Sequence, residues 1–473
     1  MSASELLEIV EHDDAGNVTS ICVSSNEKRV DFVLPQKTKN YAQKLLDVFL
    51  PTGYPHSVTE DYIQYQIYDS LQAFSSSIAG LLASRAVLEG VGVGDSSASP
   101  TSALLLSILQ ESMGRIATIL FAHRLGTALE PECKMYRLAA DVFNDTAMIL
   151  DCLSPAFPKP ARVMVLSFSS CLRALCGVCA GSAKASLSAH FAKNGNLGEL
   201  NAKDSSQETV ISLLGMVAGS VVVSWITTPM ATWVTLIALL SVHLGTNYAA
   251  VKAVSMTSIN RQRANIVLSH ILYSQDLKQE VLSPKDVSKQ ERIFERDGVL
   301  RVNDKISGYC RIGVSMQTLL SRISAARPTR SGALCAMPVK VTELLEIFAS
   351  EGYILWLDDD HQADVTSKEV LIVLKKNCTA LDQLKAWMHA LLLVFQATDR
   401  LNTASSKADK SNAEMQLDRL DKTLDLRQRL FDQQVPVLTS KGWDLDIAAL
   451  ETRAGVRVLI PIQQRVSVET ATI

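Results

Sequence analysis

Several features that would announce a class of function are missing from this chain of 473 residues. It has no run of Lys or Arg, and 46 basic residues stand against 49 acidic ones, so nucleic acid is disfavoured as a partner. Nine cysteines are scattered without a framework of pairs, which points to a reducing compartment. The opening MSASELLEIVEHDD carries neither a basic stretch followed by an apolar one nor an Arg-rich amphipathic segment, so no cleavable targeting segment is expected. Eight histidines are spread out. His123, His190 and His243 lie nearest the apolar middle of the chain, none at HExxH spacing, and no Ser/His/Asp or Cys/His arrangement emerges. Neither catalytic residues nor a metal site are expected.

The largest gap is in charge itself. The 43 residues between Glu208 and Lys252 include no Asp, Glu, Lys or Arg, and Pro229 divides them into VISLLGMVAGSVVVSWI and MATWVTLIALLSVHLG. At 1.5 Å per residue each half spans roughly 25 Å, close to the hydrocarbon thickness of a bilayer. The segment 209–251 therefore reads as a membrane hairpin. Trp225 and Trp233 flank its turn as an interfacial aromatic belt would, while Lys252, Arg261 and Arg263 put the far end on the cytosolic side or its equivalent. Gly215 and Gly219 form a GxxxG that lets another helix approach closely. The same pattern also fits a hairpin buried in a large soluble helical protein, because a hairpin apolar all round needs a coat of protein or lipid.

What surrounds the hairpin is more varied. With 47% hydrophobic residues the chain can bury a large core and holds two or more structural units. Residues 1–40 read as a small β element, in which LLEIV and SICVS are joined by the turn-forming HDDAGN and RVDFVL follows. Residues 41–275 read as a helical, membrane-embedded core. Two of its helices carry an acid and a base four apart, Arg85 with Glu89 and Glu111 with Arg115, either as solvated faces or as pairs turned into a bundle. In 276–395, Ser283 and Pro284 start a helix, ELLEIFASEGYILWL reads as helix, turn and strand, and EVLIVLKK and DQLKAWMHALLLVF as strand and helix. That alternation predicts an α/β domain. Residues 396–473 read as a charged helical tail whose Leu417, Leu420, Leu424 and Leu430 mark an amphipathic helix docked on the α/β domain or on a second chain. The predicted fold class is mainly α: a multi-helix membrane-type bundle with a small N-terminal β element and a C-terminal α/β domain.

One stretch invites a ligand. GVGVGDSSASPT, from Gly90 to Thr101, has the spacing GxGxG after an apparent helix, so it fails the dinucleotide fingerprint, which needs GxGxxG after a strand. Ser99 and Pro100 instead form an N-cap and first helical position, and helix N-termini attract anions. GVGVGDSSAS and GVCAGSAKAS share G-V-x-x-G-x-x-x-A-S at an offset of 87, as a duplicated module or by coincidence. Beside the second copy, Arg162, Arg173 and Lys184 recur at intervals of eleven, about three turns, and so share one helix face. That face is either a solvated stripe or a basic wall for an anionic ligand. Gly90, Gly92, Gly94, Asp95, Ser99, Arg115, Arg173 and Lys184 are the candidate ligand-binding residues. Cys171, Cys176 and Cys179 lie on the same helix and read as packing residues.

The stretches YPHSVTEDYIQYQIYDSLQAFSSSIAGLLASRAVLEGVGVG, ASPTSALLLSILQESMGRIATILFAH, PECKMYRLAADVFND and KDSSQET resemble the signature of the root UVB sensitive family, also called the vitamin B6 photoprotection and homeostasis domain. The resemblance covers about 54–300 and extends more loosely to the segment with DQLKAWMHALLL. It implies a eukaryotic protein tied to vitamin B6 homeostasis, with plant members in plastids and light-stress responses, sometimes working as pairs of family members. It implies no established enzymatic activity and no catalytic residues. A plastid location is not expected here, since no transit peptide is read. Three functions follow. One is an intracellular, multi-pass membrane protein moving or sensing a small anionic metabolite, pyridoxal phosphate being the ligand the resemblance suggests. Another is a membrane-associated scaffold that self-associates or pairs with another family member. The last is a soluble B6 enzyme, disfavoured because Lys184 sits on an apolar helix rather than in an α/β cradle.

Overall fold

A computed structural model describes residues 7–12, 18–25, 29–33, 48–91, 99–193, 195–273, 281–302, 304–324, 339–358, 368–402 and 412–460. The chain divides into two compact units, 1–255 and 256–473. It is mainly helical, with a small N-terminal sheet and a C-terminal α/β region, as its patterning predicts.

The first unit opens with β1 (Leu7–His12), β2 (Val18–Ser25) and β3 (Arg29–Val33), an antiparallel sheet in which Ile9 faces Cys22 and Ile21 faces Val33. Six long helices follow among the described residues: α1 (Tyr62–Val91), α2 (Pro100–Leu125), α3 (Cys133–Leu153), α4 (Lys159–Phe191), α5 (Leu197–Trp225) and α6 (Pro229–Ala253). Their starts follow the sequence signals. Ser99 accepts from the Ser102 N–H at 3.4 Å before Pro100, and Thr228 accepts from the Ala231 N–H at 3.3 Å before Pro229. In both places proline occupies a position whose N–H would have had no partner.

Helices α5 and α6 are the two halves of the charge-free hairpin. The GxxxG of α5 lies against α1: a Cβ on Gly215 would come within 2.7 Å of Ser77 Cβ, and one on Gly219 within 2.7 Å of Leu81 Cδ1. Only a hydrogen in place of a side chain allows that approach. Arg85 of α1 then reaches the end of α5 and donates to the carbonyls of Val223 at 3.2 Å and Ile226 at 2.8 Å, which the helix leaves without partners. Among the described residues of this unit, five helices, α1, α2, α4, α5 and α6, are long and apolar enough to cross a membrane. Their outward residues include Leu104, Leu105, Ile119, Val217, Trp225 and Val234, all well exposed.

The second unit is built on a mixed sheet. Its strands are β5 (Val299–Val302), β6 (Lys305–Ile312), β7 (Tyr353–Asp358), β8 (Glu369–Lys375) and β10 (Arg457–Val458). β8 pairs with β7 antiparallel and with β6 and β10 parallel, and β6 pairs with β5. A separate short pair joins β4 (Ser258–Asn260) to β9 (Asp444–Ala449). The runs YILWL and EVLIVL are buried on both faces, which explains why they read as continuous rather than alternating apolar strands. Trp387 and Leu391 of α11 (Ala380–Asn402) belong to the core that these strands form. Helices α7 (Arg261–Tyr273), α8 (Pro284–Gln290), α9 (Met316–Ile323) and α10 (Val341–Ile347) surround it. The amphipathic helix α12 (Asn412–Ser440) buries Leu417, Leu420, Leu424 and Phe431 in the same core.

Candidate functional site

Polar residues at helical spacing on α1, α3 and α6 converge inside the first unit. Tyr65, Asp69, Gln72 and Ser76 share one face of α1, Arg137, Asp141, Asn144 and Asp145 one face of α3, and His243 and Asn247 one face of α6. Arg137 is the hub. Its guanidinium lies 2.6 Å from Asp69 Oδ1 and 3.2 Å from Asp141 Oδ1, and donates to Gln72 Oε1 at 2.9 Å and to the Tyr65 hydroxyl at 3.4 Å. The other oxygen of Asp141 accepts from the side-chain amides of Gln72 and Asn247, both at 2.5 Å. His243 completes the chain, with Nδ1 2.7 Å from Asp145 Oδ1 and Nε2 3.3 Å from Asp141 Oδ2. Asp141, Asp145 and His243 are buried and Arg137 nearly so, so these charges depend on one another more than on water.

The network forms one wall of a cleft of about 330 Å3. Lys184 of α4 and Glu208 of α5 lie on its lining with Asp69, Gln72, Arg137 and His243. Lys184 is itself held 2.7 Å from Asp204 and 2.7 Å from Glu208. Acid exceeds base here: Asp69, Asp141 and Glu208 line the cleft, with Asp145 and Asp204 behind His243 and Lys184, against Arg137, Lys184 and the imidazole.

A second polar knot fastens the start of α1. Asp61 lies 3.0 Å from His190 of α4 and accepts from the Ser255 N–H at 2.7 Å and the Thr59 hydroxyl at 2.5 Å. Burial pushes its carboxyl up, but His190 and these donors hold it at about 2. In the second unit a cavity of about 530 Å3 is lined by Gln262, Asn265, His270, Arg292, Glu295, Arg301 and Asp304. There Arg292 meets Asp304 at 2.8 Å and Arg301 meets Glu295 at 2.5 Å, so these cations are already engaged. Burial raises the Glu295 carboxyl, yet Arg301 holds it below the usual range. Among the described residues no group of three His, Cys, Asp or Glu side chains is arranged to hold a metal ion.

The predicted ligand residues are spread over several places. Gly92, Gly94 and Asp95 lie outside the described residues. The Gly90 carbonyl accepts from Arg162, whose guanidinium also donates to the carbonyls of Ser154, Pro155 and Phe157. Ser99 caps α2. Arg115 pairs with Glu111 at 3.5 Å, both exposed, and Arg173 pairs with the buried Asp151. Of the described candidates Lys184 lines the cleft, whereas Gly90, Ser99, Arg115 and Arg173 do not. The three cations spaced by eleven each have their own partners. Cys176 and Cys179 pack with Leu129, Tyr136 and Ala140.

Sequence reading missed Arg137, Asp141, Asp145, His243 and Asn247 as a group. The available signal was polar spacing of four in helices that are otherwise apolar, as in SVHLGTN, where His243 and Asn247 interrupt a charge-free run.

Residues 35–275 match the vitamin B6 photo-protection and homoeostasis domain, and residues 280–453 match the C-terminal domain of root UVB sensitive proteins. RUS family member 1 of Dictyostelium discoideum is 41% identical over 262 residues, 55% of this chain and 49% of that relative. Protein root UVB sensitive 3 of Arabidopsis thaliana is 31% identical over 352 residues, 74% of this chain and 75% of that protein. Protein root UVB sensitive 2, chloroplastic, from the same plant is 25% identical over 359 residues, covering 76% and 74%. None of these descriptions names a reaction. No solved structure matches the chain.

Proposed function

The chain belongs to the root UVB sensitive family, and on that premise we propose that it is a multi-pass membrane protein that moves or senses a small metabolite in vitamin B6 homeostasis, using the cleft beside Arg137 as its site. The observation that carries the reading is a contrast. Helices with bare apolar outer faces enclose a buried ion network around Arg137, and ionisable groups inside a membrane bundle mark ligand or ion paths. Lys184 and Arg137 supply the cations that a phosphate group would need, and Lys184 lies at the cleft wall. The excess of acid sets a condition. A bare anion is repelled unless Lys184 leaves Asp204 and Glu208 or the network takes up a proton.

Two measurements test the reading. Alkaline carbonate should leave the protein in the membrane pellet, and release into the supernatant would refute the membrane assignment. Pyridoxal phosphate should bind the purified protein in lipid nanodiscs, and Lys184→Ala should weaken that binding while leaving the protein folded. Absence of binding would refute the ligand.

A second reading keeps the membrane core but makes pairing with another family member the function. It is favoured by α2, where the exposed Glu111–Arg115 pair sits midway along a bare apolar helix. Lipid alone is a poor environment for that pair, whereas a neighbouring helix would cover it. Recovery of a stable complex that is lost in a Glu111→Leu, Arg115→Leu variant would favour this reading.

A further inference from the structure

We propose that His243, held between Asp145 and Asp141, is a proton-binding site whose occupancy sets the charge of the cleft. The proposal rests on the cleft being a metabolite site and names the second ligand of that site, a proton.

The geometry gives the imidazole two states without rearrangement. Nδ1 lies 2.7 Å from Asp145 Oδ1 and donates to it in both. Nε2 lies 3.4 Å from the Gln72 amide nitrogen and 3.3 Å from Asp141 Oδ2. When Nε2 is bare, its lone pair accepts from Gln72. When it takes a proton from solvent, that lone pair becomes an N–H bond which donates to Asp141 instead. The exchange consumes one proton and leaves each partner in place.

The surrounding charges decide which state is favoured. Helix α1 presents Tyr65 and Asp69 to this network, and α3 presents Arg137, Asp141 and Asp145. Across the cleft stand Lys184 and Glu208, which pair with each other. With a neutral imidazole, the buried Asp141 and Asp145 and the partly buried Asp69 have one guanidinium among them. With an imidazolium, they share two cations.

A separate observation points the same way. Asp145 Oδ2 and Asn247 Oδ1 are buried acceptors with no hydrogen-bond partner among the described residues. A carboxylate so placed in a dry bundle strengthens the hold of its neighbour on a proton. An anion entering the cleft would add to that pull, so anion binding takes up a proton, and by reciprocity affinity rises as pH falls.

The test uses the full chain in lipid nanodiscs with isotope-labelled histidine. The imidazole signal missing from His243→Gln should titrate within the pH range over which the protein stays folded, and its midpoint should move in Asp145→Asn, which removes the neighbouring carboxylate. A His243 signal fixed in one state over that range, or a midpoint unmoved by Asp145→Asn, would overturn the site. Pyridoxal phosphate then serves as the anionic probe. Its affinity should rise about tenfold from pH 8 to pH 6 beyond the slope seen in His243→Gln, which reports the ionisation of the probe itself. Equal slopes in the two proteins would overturn the coupling. Failure of pyridoxal phosphate to bind at any pH, with His243 still titrating, would remove the metabolite reading and leave the proton site standing.

Discussion

Gly215 of α5 lies so close to Ser77 of α1 that a methyl group on it would stand 2.7 Å from the serine Cβ and 3.0 Å from the Phe74 carbonyl. Backbone sits on one side of the contact, so it cannot yield as a flexible side chain would. Gly215→Val should therefore destabilise the first unit by about 1–3 kcal/mol, as overpacking does. Gly80 has open space around it, and Gly80→Ala should be tolerated. Thermal scans of both variants in the same lipid check the pair, and equal midpoints would contradict the packing.

Val217 distinguishes lipid from water. It is 65% exposed near the middle of the first apolar segment of the hairpin. In water, Val217→Arg costs almost nothing. At the centre of a bilayer it costs about 2.5–3.5 kcal/mol on insertion scales. A glycosylation-tag insertion assay should show loss of the span, and normal insertion would count against the membrane reading.

Arg137 should behave as a keystone. Removing it alone, as Arg137→Met, leaves the buried Asp141 and the partly buried Asp69 without their cation and should cost about 3–5 kcal/mol. Adding Asp69→Asn to the same protein should restore part of that loss. A double variant less stable than the single one would contradict the electrostatic account.

His389 gives the second unit a dependence on acid. Burial, with the charge of Arg427, pushes its imidazole down to about 3, while Nδ1 meets the Tyr353 hydroxyl at 3.1 Å and Nε2 the Thr423 hydroxyl at 2.8 Å. The unfolded chain binds a proton near the ordinary value of 6.5 and the folded one does not. Stability from this group is therefore complete above that pH and is lost progressively as pH falls toward 3. Trp fluorescence melts across this range should show the loss, and His389→Gln should flatten it.

Truncation addresses the tail. Deleting 403–473 removes Leu417, Leu420, Leu424, Phe431 and Trp443 from the buried core. At about 1.5–3 kcal/mol per large apolar side chain, the loss rivals the whole stability of a domain. The second unit should lose cooperative unfolding, visible as broad hydrogen exchange through β7 and β8. Retained protection there would show that α12 is dispensable.

The fold was far more legible than the site, and two kinds of residue pair show why. Arg85–Glu89, Glu111–Arg115 and Arg137–Asp141 all have acid and base four apart on a helix. The first two are solvent-exposed to a large degree, whereas the third is buried at the centre of a network. Local spacing is identical; what differs is the partner supplied from α1 and α6, far away in sequence. Strand β8 needed no such help, because EVLIVL declares its burial within its own residues. The glycines of α5 were legible as a contact surface but not as a contact with α1. The cleft depends on Lys184, which the recurrence of cations singled out, and on Asp204 and Glu208, which nothing nearby distinguished from ordinary surface acids.

Among the described residues, 457 and 458 add the last strand to the sheet of the second unit by pairing with Leu374 and Lys375. On a ribosome that order has a cost in time. At 5–20 residues per second, the 55 residues from the end of α11 to β10 take roughly 3–11 s to appear. Through that interval β7 and β8, already made and almost wholly apolar, wait first for α12 and then for β10. Apolar strands exposed in this way are the kind of surface that chaperones bind. A stop codon just short of β10 would leave Leu374 and Lys375 of β8 without that partner.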